Sequence, residues 1–318
     1  MRFTIAAVAL LAGFVVAAQQ PVQLAPGVHL LRGTFAPGSQ PDGNSVIIEG
    51  RRGFAVVDTG RHAEHTGAIA AFIAGEGRPL EAIVNTHWHL DHLGGNVLLR
   101  ERYPNVRVFA SDAYAGARTG FLARSRKSLE EQLAKLEGDP DAQRALRHEL
   151  SLIDAGDALA PDTVIARNRP LRLAGRRARL GLETNAVTAG DVWVFLPDAK
   201  ILVAGDLVTL PAPFLDTACP VGWQRSLARL EEQPFETLVP GHGAPMTRDD
   251  FRTYRAAFDS LLACAASDAE KTACTDGWMR DAGSLIDEAD RDLARAMIGY
   301  YVDEHLRNAE RTKTLCAE

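Results

Sequence analysis

Long hydrophobic runs are scarce in this chain. Beyond its first residues none approaches the ~20 apolar residues that a bilayer-spanning helix needs, so a membrane-embedded protein is not expected. Long basic runs are missing too. The formal net charge is −6, from 35 Lys and Arg against 41 Asp and Glu, and without a basic tract nucleic acid is not an expected partner. The short cluster from Arg172 to Arg179 reads instead as the exposed edge of a strand region. Pro/Gly/Ser-rich linkers and low-complexity segments are also absent, so nothing calls for a cut into two domains. With 46% apolar residues over 318 positions, the chain has ample material for a large core.

The first residues have a different character. Arg2 gives a positive start, Phe3 to Val16 form an apolar run, and Val16-Ala17-Ala18 offers small residues for cleavage. This pattern predicts a secretory leader over residues 1–18, cut after about Ala18, and hence a periplasmic or secreted protein with no membrane contact once the leader is gone. The leader holds no Cys for lipid attachment and no twin arginine. The four cysteines, Cys219, Cys264, Cys274 and Cys316, all lie in the last third of the chain. An even count in an exported protein predicts disulfides, and four cysteines allow three connectivities. The favoured pairing joins Cys264 to Cys274 across a short loop and Cys219 to Cys316. The competing reading makes Cys219 a metal ligand.

Short β-type runs alternate with helical patterns. Strands are predicted at Val28–Arg32, Ser45–Glu49, Phe54–Asp58, Glu81–Asn85, Arg107–Ala110, Pro170–Leu173, Ala178–Glu183, Val192–Leu196, Ile201–Ala204 and Thr237–Val239, with turn signals at Pro41-Asp42-Gly43 and Arg51-Arg52-Gly53. Helices are predicted at Thr66–Ala74, Gly95–Arg102 and Trp223–Glu231. From Asp112 to Asp154 the chain is helical, charged and broken at Gly138-Asp139-Pro140, with apolar stripes Leu129, Leu133, Leu136 and Leu146, Leu150, Ile153. That insert is either a pair of amphipathic surface helices or a lid. The tail from Asp249 to Leu306 is mostly helical. The mixture predicts sheet layers covered by helices, an α+β arrangement.

The chemistry concentrates in one segment. Of nine histidines, three fall within His87-Trp88-His89-Leu90-Asp91-His92, with an aspartate among them. A core seldom holds that many groups whose desolvation must be offset, and a divalent metal offsets several at once. The segment follows the apolar run Ala82–Val84 and precedes Gly94-Gly95, which places it on a loop at a strand's C-terminal end, where α/β sites gather. His87 and His89 are two apart and can face one way from extended chain, while Asp91 and His92 can turn toward a second position. Imidazole and carboxylate ligands suit zinc first, with iron or manganese as alternatives.

This loop resembles the signature of the metallo-β-lactamase superfamily. Val56-Val57-Asp58-Thr59-Gly60 upstream, Gly94-Gly95-Asn96 after it, and Thr188-Ala189-Gly190-Asp191, Leu202-Val203-Ala204-Gly205-Asp206 and Pro240-Gly241-His242-Gly243 downstream fall in that family's order, from about residue 28 to 250. The resemblance implies a four-layer αβ/βα sandwich with metals at one edge, as a single domain over 19–318 carrying a helical insert (112–154) and a helical extension (251–318). It implies His87 and His89 at a first metal, Asp91, His92 and His242 at a second, Asp206 bridging the two, and Asp58 supporting from beneath. Asp206 ends an apolar run after a Gly, which would let its carboxylate emerge at the sheet edge. Glycines flank His242 and leave room for an ion.

One position departs from the family pattern. Val187 stands where the family usually has a third first-metal histidine, and no His occurs between His148 and His242. Either the second site alone fills, or both fill with the first more open, or another side chain substitutes, with Asn185, Glu183 and His148 as candidates. His62 and His65 read as pocket-lining or as surface histidines. The expected activity is hydrolysis of a small-molecule carbonyl substrate, an ester, lactone or β-lactam. A metal would lower the pKa of water from about 15.7 to about 7, and Asp91 would orient that water or shuttle its proton. Phe35, Trp88, Phe214 and Trp223 are candidates for an apolar wall. Two alternatives remain: a metal- or ligand-binding relative that has lost catalysis, favoured by Val187, and an iron oxidoreductase, disfavoured by Asp91 where diiron relatives carry Glu.

Overall fold

A computed structural model describes residues 19–34 and 40–317. The expected leader and Phe35 therefore lie outside the described residues. Two sheets form the centre. The first holds seven strands in sequence order: β1 (Val22–Ala25), β2 (Val28–Leu31), β3 (Ser45–Gly50), β4 (Gly53–Val57), β5 (Leu80–Val84), β6 (Arg107–Ala110) and β7 (Thr163–Val164). Pairing is antiparallel through β4 and parallel from β4 to β7. The second holds β8 (Arg169–Leu173), β9 (Arg176–Glu183), β10 (Asp191–Leu196), β11 (Ile201–Thr209), β12 (Thr237–His242) and β13 (Met246–Thr247), of which only β11 and β12 run parallel.

Strand alternation explains the layering. Val46, Ile48, Ala55, Val57 and Val84 point to the second sheet, where Leu180, Val192, Val194 and Val203 meet them. Their neighbours Ile47, Phe54, Val56 and Ile83 point outward, against Ile69, Ile73 and Leu99. Ile69 and Ile73 sit four apart on the helix Ala63–Gly75, so one face of that helix covers the first sheet. The outer face of the second sheet is covered by Pro220–Glu231 and by the C-terminal helices. Of these, Arg248–Ala265 opens on a Thr247/Asp250 capping box and buries Phe251, Tyr254, Phe258 and Leu261. The fold is the expected α+β sandwich: helices, sheet, sheet, helices.

The expected insert region holds Ala113–Thr119, Phe121–Lys135 and Pro140–Asp154, which pack on the signature loop through Leu122 and Leu152 against Trp88, Leu90 and Leu93. The cysteines join as favoured, Cys219 to Cys316 and Cys264 to Cys274. The alternative of Cys219 as a ligand is thereby overturned, since its sulfur is in a disulfide. Arg172, Arg177 and Arg179 are exposed on β8 and β9, as the edge reading required. No helix among the described residues is long and apolar enough to cross a membrane.

Candidate metal centre

The signature loop leaves β5 at the sheet edge, and its side chains turn inward around one point. His87 Nε2 and His89 Nδ1 lie 2.8 Å apart, and with Asp206 they form one cluster of ligand atoms. Asp91, His92 and His242 form a second. In each cluster the ligand atoms lie within 4.8 Å of one another. Asp206 connects the two. Its Oδ2 stands 3.6 Å from His87 Nε2, and its Oδ1 stands 3.2 Å from His92 Nε2 and 3.6 Å from His242 Nε2. His92 Nε2 and His242 Nε2 face each other at 3.3 Å.

Oxygens behind the rings preset the tautomers. Asp58 accepts from the backbone N–H and hydroxyl of Thr86, both at 2.7 Å, and from His92 Nδ1 at 2.8 Å. Because the Thr86 hydroxyl donates to Asp58, it accepts from His87 Nδ1 at 3.0 Å. Thr217 works the same way: its hydroxyl donates to the Val187 carbonyl and accepts from His89 Nε2, each at 2.9 Å. The rings of His87, His89 and His92 are thus set to carry a proton on the nitrogen facing away from the centre and to turn the other nitrogen inward. Asp206 Oδ1 is buried without a hydrogen bond. Lone pairs converging on a buried orphan carboxylate oxygen are what a cation satisfies, so the residues present fit a divalent metal.

Backbone conformation makes this possible. A Cβ on Gly241 would lie 1.9 Å from Asp206 Oδ1, so the glycine before His242 makes room for the bridging carboxylate rather than for the ion itself. Asp58 sits in the left-handed region, with φ 59°, a strain of the kind that functional sites retain. Asp206 does not end its strand. β11 runs on to Thr209, and register shifts around Gly205 bend it there. The carboxylate reaches the rim because the strand twists out of register, not because it stops.

Electrostatics follow from burial and crowding. Burial pushes His89 down to about 4, although Asp91 and Asp206 pull it up. Burial also opposes charging His92, yet Asp206, Asp91 and Asp58 outweigh it and hold its pKa well above the ordinary histidine value. Without a cation, the carboxylates draw a proton to the place an ion would serve. Asp91 stays ionised against its burial, held by His92, His242 and Arg61.

The neighbouring residues divide among core, ion pairs and cavity wall. Val187 is fully buried in the core behind the second sheet. No substitute ligand comes from Glu183, which binds Trp193 and Arg229, or from His148, which binds the Arg61 carbonyl and stacks on His62. Asn185 turns the chain at φ 53°. His62 pairs with Asp42 and His65 with Ser45; neither lines the cavity beside the clusters. Trp88 and Phe214 do line it, whereas Trp223 is fully buried, with its indole N–H on the Leu207 carbonyl.

Sequence reasoning missed Arg61, Glu149 and Thr217. The Arg61 guanidinium binds Glu149 on the insert, the Pro41 carbonyl at 3.1 Å and Asp91 Oδ1 at 3.4 Å. It thereby holds the Asp91 oxygen that faces away from His242, whose Nε2 is 3.0 Å from Oδ2. Arg61 directly follows the Asp58-Thr59-Gly60 turn, which was the available signal. Thr217 gave none.

Comparison with known proteins places this geometry in a lineage. The pattern of the Metallo-beta-lactamase superfamily matches residues 39–242. The linear primary-alkylsulfatase of Pseudomonas sp. (strain ATCC 19151) is 25% identical over 222 residues, which are 63% of this chain and 41% of that protein, so the chain spans about two fifths of that relative's length. Among solved structures, a double mutant of the sec-alkyl sulfatase PisA1 superposes with TM-score 0.63 at 18% identity, over 92% of this chain and 51% of that one. A metallo-beta-lactamase from Pontibacter korlensis superposes with TM-score 0.56 at 21% identity, over 76% and 98%. At these identities the two structural likenesses are likenesses of fold.

Proposed function

Because the chain belongs to the metallo-beta-lactamase superfamily, we propose that it is an exported, metal-dependent hydrolase that attacks the carbonyl of a small ester or lactone. The observation that carries this reading is the convergence of His87, His89, Asp91, His92 and His242 on Asp206, whose buried Oδ1 has no hydrogen bond. Zinc is the ion this donor set suits best. His87, His89 and Asp206 would hold one ion and Asp91, His92 and His242 another, with Asp206 shared. Val187 leaves the first position with fewer protein ligands and therefore more open to substrate. When bound, the metal supplies Lewis acidity and a water of low pKa.

The chain's own groups do the rest. Asp58, Thr86 and Thr217 fix the imidazoles so that no ligand must reorient on binding. Arg61 pins Asp91 Oδ1 and leaves Oδ2 facing the centre, where it would orient the attacking water and take up its proton. His87, Asp91, His92 and Asp206 are buried, and the low dielectric around them strengthens these interactions. Export is supported by the two disulfides, which suit an oxidising compartment.

The deciding assay is turnover of chromogenic esters, lactones and cephalosporins by protein stripped with chelator and then reloaded with zinc. Activity that disappears with the metal and returns with it supports the hydrolase. Metal held firmly, by elemental analysis, with no turnover on any substrate would make the protein a binding relative. Alkyl sulfates belong in the same panel as a second reading, since the sequence match to an alkylsulfatase covers 63% of this chain.

A further inference from the structure

A cavity of about 480 Å³ opens above the two clusters, within the range of about 300–1,000 Å³ that suits small-molecule sites. Its floor is polar, formed by His89, Asp91, Asp206 and His242. Its walls are of another kind. Trp88 and Phe214 contribute to them, and the helical insert supplies Phe121, which packs on Trp88 at 5.4 Å between ring centroids, with Leu122, Leu129 and Ile153. From the two apolar stripes expected of an amphipathic insert, Leu129 of the first and Ile153 of the second line this cavity.

Charge is distributed just as unevenly. Among the described residues lining the cavity, Arg61 is the one Lys or Arg, and it already binds Glu149 and Asp91. The remaining polar groups on the insert side, Ser125, Ser128 and Gln132, are uncharged apart from Glu149. A substrate bearing a carboxylate away from its scissile bond finds no uncommitted cation here, and burying that charge unpaired is costly. An uncharged hydrocarbon chain finds walls to match.

We propose that the substrate is a lipophilic ester whose non-reacting part is an uncharged apolar chain lodged beneath the insert, and that Leu129 and Ile153 determine this specificity. The proposal rests on the hydrolase reading for its chemistry and on the cavity for its selectivity. It sets the protein apart from enzymes whose substrates carry a remote carboxylate, β-lactams among them. Both residues are half-buried on the cavity side of their helices, so they can be replaced without opening a sealed core. Each methylene that becomes buried is worth about fourfold in binding, and the preference should build up along the chain.

The test uses the full chain loaded with zinc and p-nitrophenyl esters from acetyl to octanoyl, with 1-decanol binding followed by tryptophan fluorescence, which Trp88 reports. Expected is a rise in kcat/KM of at least tenfold from acetyl to octanoyl, with cephalosporins turned over less well than octanoyl ester. Leu129→Glu and Ile153→Glu, on separate helices, should each bring the octanoyl-to-acetyl ratio toward one and abolish decanol binding. Lys127→Glu, exposed on the same helix as Leu129, should keep the wild-type ratio. A flat chain-length profile, a ratio that neither glutamate variant changes, or failure of decanol to bind the wild type overturns the proposal. Decanol binding that depends on Leu129 without turnover of any ester would leave the chamber standing and remove the hydrolase.

Discussion

Replacing Arg61 by Met separates the roles of charge at this centre. Arg61 is buried between Asp91 and Glu149 and also donates to the Pro41 carbonyl. Removing the guanidinium from metal-free protein leaves Glu149 without its counter-charge and leaves Asp91 with His92 and His242 alone. Breaking a buried pair from one side costs about 3–5 kcal/mol, or a fall of roughly 6–20 °C in Tm at about 2–4 °C per kcal/mol. Zinc changes the outcome, because an ion facing Asp91 Oδ2 compensates that carboxylate and only Glu149 is left uncompensated. The zinc-loaded variant should therefore lose about half as much as the metal-free one. In Arg61→Met/Glu149→Leu both charges go, and swapping a whole buried pair for apolar side chains is often neutral. That double variant should return to within about 1.5 kcal/mol of wild type when zinc is bound. Urea unfolding of the four proteins, with and without zinc, measures the cycle. A metal-free single variant less than 1 kcal/mol below wild type, or a double variant no more stable than the single, would refute the account of Arg61 as a buried counter-charge.

Thr217→Val keeps the side-chain shape and removes the hydroxyl that fixes His89. Loss of such a supporting partner typically costs about 10–100-fold in metal affinity, here at the His87/His89 position alone, and a cobalt titration with two resolved binding phases should show one weakened and one unchanged. His65 is held down to about 4 by burial, against Asp42, which raises it. Its folded pKa lies below the ordinary 6.5, so the unfolded chain takes the proton first and stability falls as pH drops from about 6.5 toward 4. The loss amounts to about 3 kcal/mol by linkage. Unfolding curves at pH 7 and pH 4.5 should show that drop in wild type and a smaller one in His65→Gln, and equal drops would remove the assignment. Cys219–Cys316 closes a loop spanning 97 positions, for which the chain-entropy estimate is about 4–5 kcal/mol. Cys316→Ser together with Cys219→Ser should lower stability by an amount of that order, and a loss below 1 kcal/mol would show that the C-terminal helix docks without its staple.

What could be read from the sequence was what adjacent residues decide. Alternation in Val46-Ile47-Ile48 and Phe54-Ala55-Val56-Val57 sends neighbours to opposite sheet faces whatever lies elsewhere, so the strands and layers were legible. The ligand loop was legible for the same reason: His87, His89, Asp91 and His92 lie within six residues, and their density alone asks for a cation. Strands β7 and β13 were not, because runs of 2 residues carry no period, and β1 was not, because none of its four residues is fully buried and no apolar face marks it. The supporting residues were hidden by distance along the chain. Thr217 meets His89 across 128 positions and Glu149 meets Arg61 across 88, and no local pattern marks either. Trp223 could be named only as a candidate, because an aromatic beside a proline-rich loop looks the same whether its ring faces a cavity or a helix; here the commoner core reading holds, and Leu207 accepts its N–H. The lid was undecidable from amphipathicity, which says that a face is buried but not against what. From that face, Leu129 and Ile153 line the cavity beside the ligand clusters. A fold can therefore be inferred from local periodicity and a metal centre from local density, while the groups that tune the centre arrive from remote parts of the chain through packing alone.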